Sequence, residues 1–551
     1  MIEAAPSFAG LAAFGAGTVV IGAGPVGILT ARALRAKGGR VLLLESGRLR
    51  PEPAITALSE AESYDPEFHH RPETAAARRL GGTSSLWGGR CLPFDPIDFE
   101  DRPWLGAGGV AWPISERDLA PYLGPATEGL GAGRAVFEEK LAGVAADPAF
   151  AFETLERWTN TPRTEALHRA ELEGDPELMI ALGATVLGFH YDAAGRISAL
   201  DLNLEGQDQN GGREKLAVSG AVVLAGGGNQ STRLLLAEQR RKPELFGGPD
   251  GPLGRFYMGH VNGSIADIVF TDKTLHDGLA YHTDAHGSYV RRRLTPSPAT
   301  QEAAGLANVA FWPVVPAIAN PAHRSGPLSA VFLALTVGPV ARKLLAEPIR
   351  LKHTGPPPYA RGPHVMNVLR DLPATIGFAP LFLWRNRVAK MRLPGFFLTN
   401  PGRRYGLEYH SEHLPEASSR LTLGESTDRL GMPRLIHELR FSDKDAASVL
   451  AAHGALGEWL ARNNLGTLEY YAATPEARAA NVFAEAQHGT HQVGTIRMGT
   501  DRATAVVDAD CRAFDVPNLH VVSTAVLPTS GQANPTLTAV QLGLRLAERI
   551  G

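Results

Sequence analysis

The chain has 551 residues, of which 44% are hydrophobic and 20% charged, and its formal net charge is −3. This is the balance of an ordinary globular protein of about two to four lobes, with a core that needs no covalent staple. A slightly negative chain is not drawn to nucleic acid, and no nucleic-acid partner is expected. Only two cysteines occur, Cys91 and Cys511. They are far apart and lack metal-ligand spacing, so neither a disulfide framework nor a metal site is expected. The same scarcity suits a reducing compartment, and a cytoplasmic location is the expectation. No run of about 20 apolar residues is present, so no transmembrane helix is predicted. Residues 1–17 are mildly apolar without a basic leader and read as a short tail rather than a signal peptide.

Thr18-Val19-Val20-Ile21 is an apolar run suited to a buried parallel strand. It leads directly into Gly22-Ala23-Gly24-Pro25-Val26-Gly27, which has the G-x-G-x-x-G spacing. A helix is predicted over 28–37, stopped by Gly38 and Gly39, and a second strand over 41–44 ends in Glu45. In this arrangement Gly22 permits a tight turn, Gly24 admits a pyrophosphate to the backbone, and Gly27 lets helix and strand pack closely. The helix N-terminus offers N–H groups and partial positive charge to the phosphates. Glu45, 18 residues beyond Gly27, is placed to accept hydrogen bonds from ribose hydroxyls, and its charge disfavours a 2′-phosphate. The unit predicts dinucleotide binding without separating FAD from NAD.

Further along, Leu80-Gly81-Gly82-Thr83-Ser84-Ser85-Leu86-Trp87-Gly88-Gly89-Arg90 is a glycine-rich loop able to approach a flat ring. Strands are predicted over 179–191 and 195–204 as a small β-excursion. Ala221-Val222-Val223-Leu224-Ala225-Gly226-Gly227-Gly228 then reads as strand and glycine turn, and a helix follows. Gly254-Arg255-Phe256-Tyr257-Met258-Gly259-His260 comes next; no chemistry calls for His260, which reads as a packed or turn-capping histidine. Near the end stand His491-Gln492-Val493-Gly494-Thr495-Ile496-Arg497-Met498-Gly499, Ser523-Thr524-Ala525-Val526-Leu527-Pro528-Thr529 and Asn534-Pro535-Thr536-Leu537-Thr538-Ala539.

In this order the segments resemble the glucose–methanol–choline (GMC) oxidoreductases, nearest to bacterial sugar dehydrogenases and pyranose oxidase-like members. The match spans nearly the whole chain and is weakest over about 270–480, where only 412–423 and 430–433 resemble the substrate-domain strands. The resemblance implies an α/β fold: a Rossmann-like FAD-binding domain plus a substrate-binding domain with an antiparallel sheet and helices. The FAD domain is expected to be discontinuous, over 1–110, 178–265 and 485–551, and the substrate domain to cover 111–177 and 266–484. It also implies cofactor contacts. These fall on Gly22, Gly24, Pro25, Val26, Gly27, Glu45 and Ser46; on Gly81, Gly82, Thr83, Ser84, Trp87, Gly88 and Gly89; and on Val186, Ala225, Gly226, Thr524, Ala525, Asn534, Pro535 and Thr536. Some sugar-oxidising members attach FAD through a histidine just before the loop tryptophan. Leu86 stands there in this chain and cannot form that bond, so non-covalent FAD is expected.

Oxidising an alcohol requires a base for the hydroxyl proton and a positioned carbon from which a hydride leaves, and a flavin accepts the hydride. Histidine suits the base, with an unperturbed pKa of about 6.5. A neutral amide can hold the hydroxyl without competing for its proton. The family pair falls on His491 and Asn534, 43 residues apart. His488, three residues upstream of His491, is the competing candidate; the longer match favours His491. Pro535 lacks an N–H, so a helix can begin there with its donors facing the flavin.

Residues 341–404 carry twelve Lys or Arg against two acids, Glu347 and Asp371, around the apolar Phe378-Ala379-Pro380-Leu381-Phe382-Leu383-Trp384. The favoured reading is an insertion whose apolar side packs on the substrate domain while its charges are solvated. A membrane surface or a partner subunit is the alternative contact. The expected reaction is oxidation of a sugar or glycoside hydroxyl, with oxygen, a quinone or a redox subunit as electron acceptor. A hydrophobic or lipid-linked alcohol is the rival substrate, and a non-redox FAD-containing lyase the rival chemistry.

Overall fold

The computed structural model describes residues 1–108, 110–206, 212–337, 354, 357–387, 399–486 and 489–550. Its first layer is a six-stranded, all-parallel sheet in the order Ile2–Glu3, Leu178–Leu182, Val41–Glu45, Thr18–Ile21, Ala221–Leu224, Leu519–Val521. The strands are apolar runs because helices and loops cover both faces, so no residue has a solvent side to serve. Val20, Leu43 and Val223 are wholly buried, and they sit in one cluster with Ile28 and Leu34 of the helix Pro25–Ala36. Thr18–Ile21 lies mid-sheet between Val41–Glu45 and Ala221–Leu224, so the chain leaves its carboxyl end at the switch point where such sheets bind ligands.

Three expectations are corrected here. The first residues are not a tail: Ile2–Glu3 pairs with Leu178–Leu182, and Phe8–Phe14 is a helix capped by Ser7. The strand expected over 179–191 is two strands, broken at Gly183 with φ +71°. Leu178–Leu182 belongs to the parallel sheet, and only Ala184–Tyr191 joins the antiparallel excursion with Ile197–Leu204 and Arg213–Ala217. The domain boundary expected at 265 cuts the strand His260–Phe270, which pairs on both edges within the second sheet.

That second sheet is antiparallel, in the order Val309–Val314, Arg404–Glu412, His260–Phe270, Gly466–Tyr470. Successive strand side chains point to opposite faces. One face carries Val261, Ile265, Val309, Phe311, Tyr405, Leu407 and Tyr409 into a second core with Trp459 of the helix Asp443–Arg462. The alternate positions, His260, Trp312, Glu408 and His410, therefore occupy the other face. Ser442 and Asp445 close a capping box at the start of that helix, a device that stabilises by about 1 kcal/mol.

Part of the basic segment lies outside the described residues. Most side chains of the run 378–384 lie outside the described ones; the helices Arg361–Arg370 and Leu372–Arg387 expose Val365, Met366, Leu369, Leu372, Ile376 and Leu381, Ile376 by 68%. No helix among the described residues is long and apolar enough to cross a membrane. Cys91 and Cys511 are free and buried, and burial pushes both thiols up to about 12.

Candidate active site

A cavity of about 600 Å³ opens at the carboxyl ends of the parallel strands. Gly22, Gly24, Pro25 and Val26 line it from the first turn, and Glu45, Ser46 and Val186 from the neighbouring strand ends. Gly82, Thr83, Ser84, Trp87 and Gly88 contribute from the glycine loop, Ala225 and Gly226 from the central return. The C-terminal region adds His491, Thr524, Asn534, Pro535 and Thr536. A Cβ on Gly22 (φ +104°) would stand 2.6 Å from the Ala225 carbonyl oxygen, and one on Gly82 would stand 2.8 Å from Gly24 Cα. At Gly24 a Cβ would meet nothing within 4 Å. The backbone there is bare towards the cavity, and the helix Pro25–Ala36 has no side-chain cap at its start. Exposed helix N–H groups beside an open glycine fit a pyrophosphate.

Glu45 is buried, and its carboxylate accepts from Ala23 N–H and Gly47 N–H, both at 2.8 Å. Desolvation raises its pKa despite those bonds. Each oxygen keeps a lone pair, so the acid can hold its own turn and still meet ribose hydroxyls. Four expected contact residues do not line the cavity. Gly27 serves helix packing, since a Cβ would stand 1.9 Å from Gly22 O. Gly81 (φ +88°) lies against Glu165, and Gly89 (φ +76°) against Thr159. Ala525 is fully buried and accepts from Ile496 N–H at 2.9 Å. Conversely Arg78, for which no role was foreseen, lines the cavity and donates to Ser46 Oγ at 2.9 Å.

His491 and Asn534 both line this cavity. The His491 pKa is pushed down to about 4, by desolvation first and by the nearby Arg90 charge second, so the ring is neutral at ordinary pH. Its Nδ1 lies 2.8 Å from Nδ1 of the buried His260. His488 lies outside the described residues. Asn534 Oδ1 accepts from Arg90 Nη1 at 3.2 Å. Arginine only donates, so this contact turns the amide and leaves its NH₂ as the end that can meet a substrate oxygen. The helix Thr536–Ile550 follows, with Ala539 N–H bonded to Pro535 O at 3.0 Å.

Arg90 is the principal residue that the sequence did not single out; it stood in the glycine segment as the last letter of a pattern. It pairs with the fully buried Glu156, which also pairs with Arg291. The Arg90 guanidinium sits 4.3 Å from the Trp312 ring centroid, and Arg291 sits 4.8 Å from it. His410 stacks on His260 at 4.2 Å, and Trp312 lies 6.1 Å from His410. Glu408, on the same strand face, has its pKa raised to about 7 by burial and then by Glu485. No local signal marks these residues, because three strands and a loop bring them together.

A Rossmann-like cradle at a switch point, facing a histidine–amide pair across one cavity, defines a dinucleotide-dependent oxidoreductase. The GMC oxidoreductase family model matches residues 415–543. Paromamine 6′-oxidase of Streptomyces fradiae is 25% identical over 594 residues, covering 97% of this chain and 90% of that protein. The 2-methyl-1,2-propanediol dehydrogenase of Mycolicibacterium austroafricanum is 24% identical over 97% of this chain and 94% of its own length. A C-glycoside 3-oxidase of Arthrobacter globiformis is 46% identical over 61 residues, 11% of this chain and 12% of that protein. The match to the GMC oxidoreductases thus lies in the C-terminal part of the chain, and with these relatives it makes the protein an FAD-dependent oxidoreductase acting on alcohols.

Proposed function

We propose that the substrate is a sugar or glycoside, that His491 takes the hydroxyl proton, and that Asn534 orients that hydroxyl. Bound FAD supplies the acceptor for the hydride that leaves the carbon. The observation that carries the reading is that His491 and Asn534 line one cavity, with the amide oxygen already committed to Arg90. A neutral imidazole accepts the proton, the Asn534 NH₂ donates to the substrate oxygen, and the Arg90 charge favours the oxyanion that develops there. Gly22, Gly24, Gly82 and Glu45 would hold the dinucleotide, and backbone donors at the start of the helix Thr536–Ile550 would favour negative charge on a reduced ring bound near them.

A polyhydroxylated substrate is supported by the side chains gathered around Arg90, the partner of Asn534. Trp312 offers an aromatic plane, while Glu408 and Arg90 offer an acceptor and a donor beside it. Such a combination of one flat apolar wall and a few placed polar groups fixes orientation within a small-molecule pocket. By name, two of the three relatives above act on paromamine and on a C-glycoside. The cofactor is expected to dissociate, because Leu86 lines the cavity with no nucleophile. The experiment is anaerobic titration with sugars and glycosides while flavin absorbance is followed. Loss of the yellow band supports the reading; a flavin that stays oxidised during turnover would replace it with a lyase. Admitting air afterwards separates oxygen from a quinone or a redox subunit as acceptor.

A second reading of the surroundings rests on the exposed helices. Eight of the thirteen exposed large apolar side chains among the described residues lie between Val331 and Leu381. They adjoin the most basic stretch of the chain. That pairing suits shallow contact with an anionic membrane surface and would bring a lipid-linked alcohol to the site. A cytoplasmic face accords with the two buried free thiols.

A further inference from the structure

Three histidines, His260, His410 and His491, bring ring nitrogens within 4.8 Å of one another, and of them His491 lines the cavity. His260 and His410 belong to the second sheet, and His491 to the C-terminal region. The carbonyl groups that hold the first two are consecutive. His260 Nε2 lies 3.1 Å from Ala533 O, and His410 Nδ1 lies 2.5 Å from Gln532 O. The next residue is Asn534.

We infer that His260 is a positioning residue: it fixes which nitrogen of His491 carries the proton and ties His491 to the loop that presents Asn534. The inference rests on the reading of His491 as base. A carbonyl oxygen only accepts, so the His260 proton is on Nε2. A neutral imidazole has one N–H, so His260 Nδ1 then presents a lone pair. The atom opposite it, 2.8 Å away, is His491 Nδ1, which must therefore be the donor. That places the lone pair of His491 on Nε2, the nitrogen that the base reading needs for the hydroxyl proton. The opposite tautomer would present an N–H to the substrate and could not act as base.

When the substrate O–H bond breaks, its proton joins His491 Nε2 and the ring becomes an imidazolium. The Nδ1–H then donates more strongly to His260, as a charged donor does. His260 thus performs the orienting role that a carboxylate performs in hydrolase triads, but without a negative charge. An imidazole partner carries no negative charge, whereas a carboxylate there would raise the pKa of the base. The same contacts make a mechanical link. The path from His491 through His260 and Ala533 to Asn534 sets the spacing of the two side chains that meet the substrate. His410, stacked on His260 at 4.2 Å, limits rotation of the ring.

Three substitutions separate the two contacts. His260→Asn keeps an acceptor where Nδ1 stood. His260→Gln keeps a donor for Ala533 O but offers His491 no acceptor. His260→Leu keeps neither. In the holoenzyme kcat is expected to fall about a hundredfold for Gln and Leu, the cost of misplacing a reacting group by about 1 Å. KM should stay within about twofold, and Asn should recover most of the loss. Flavin content and melting temperature are measured alongside. An independent readout is the ¹⁵N–¹H long-range correlation spectrum of histidine-labelled wild-type protein, in which His491 should carry its proton on Nδ1. That readout stands even where a variant fails to fold. A proton on Nε2, or equal losses for Asn, Gln and Leu, would overturn the inference. So would a stoichiometric metal whose removal abolishes activity, which would make the cluster a metal centre. Failure of the base reading is distinct: it would appear as full turnover by His491→Ala, whatever the His260 variants do.

Discussion

The two walls of the cavity are built on opposite principles. The cofactor wall is mostly backbone: Gly22, Gly24, Gly82 and Gly226 come from short contiguous segments at strand ends. The substrate side rests on side chains packed behind His491 and Asn534: Arg90, His260, Trp312, Glu408 and His410 come from a loop and three strands of the antiparallel sheet. An atom added to the backbone surface would clash with the chain at Gly22 and Gly82 or intrude where a dinucleotide would lie at Gly24, whereas side-chain surfaces accept replacement at a graded cost. Substitutions on the first wall should therefore abolish function outright, and those on the second should tune it.

The largest effect is expected from Gly27→Ala, which lies behind the cofactor wall, where the helix Pro25–Ala36 packs on the first turn. Its Cβ would overlap the Gly22 carbonyl at 1.9 Å, so helix and strand must separate and the purified protein should lack flavin absorbance. A normally yellow G27A protein would break the contrast. His491→Ala comes next, with kcat reduced by about 10²–10⁴ and flavin content unchanged. Arg90→Gln should lower kcat by about tenfold, the effect of weakening one charged hydrogen bond by about 1.4 kcal/mol. It should also raise the pKa of the base, since the Arg90 charge holds it down; a pH–rate profile reads both.

The wild-type profile has a definite sign. His491 is neutral above its folded pKa, so kcat/KM of the free enzyme should hold down to about pH 4 and fall below it, instead of falling near 6.5. Stability follows the same direction. Burial pushes His69, His323, His453 and His491 down to about 4 each. Each group then favours the folded state fully above about pH 6.5 and loses that contribution as pH falls towards 4. Melting temperature should decline across that window, and a flat curve would show that these rings are not held neutral. The smallest effect concerns the exposed helices. Leu369→Ser with Ile376→Ser should reduce sedimentation with phosphatidylserine vesicles severalfold without changing soluble turnover. Equal sedimentation of both proteins would remove the membrane reading.

Much of the cofactor wall was legible from the chain alone. The strands Thr18–Ile21 and Val41–Glu45 lie where apolar runs predict them. The helix between them begins at Pro25, three residues earlier than periodicity places it. Proline at the first helical position marks a start that hydrophobic spacing does not register. Gly183 was passed over because an isolated glycine in an apolar run looks the same whether the strand continues or turns into another sheet. His260 was legible as buried, and its role was not, since nothing near it in sequence belongs to the site.

What the sequence by itself determined is the set of local demands: bare glycine turns, apolar strands, an acid at a strand end, and a histidine and an asparagine in recognisable company. Each is satisfied by neighbours within a few residues, so each leaves a contiguous trace. Only the tertiary structure decided which side chains oppose one another across the cavity. Pairing register between distant strands sets that, and it placed His260 on His491 and Arg90 on Asn534 from 231 and 444 residues away.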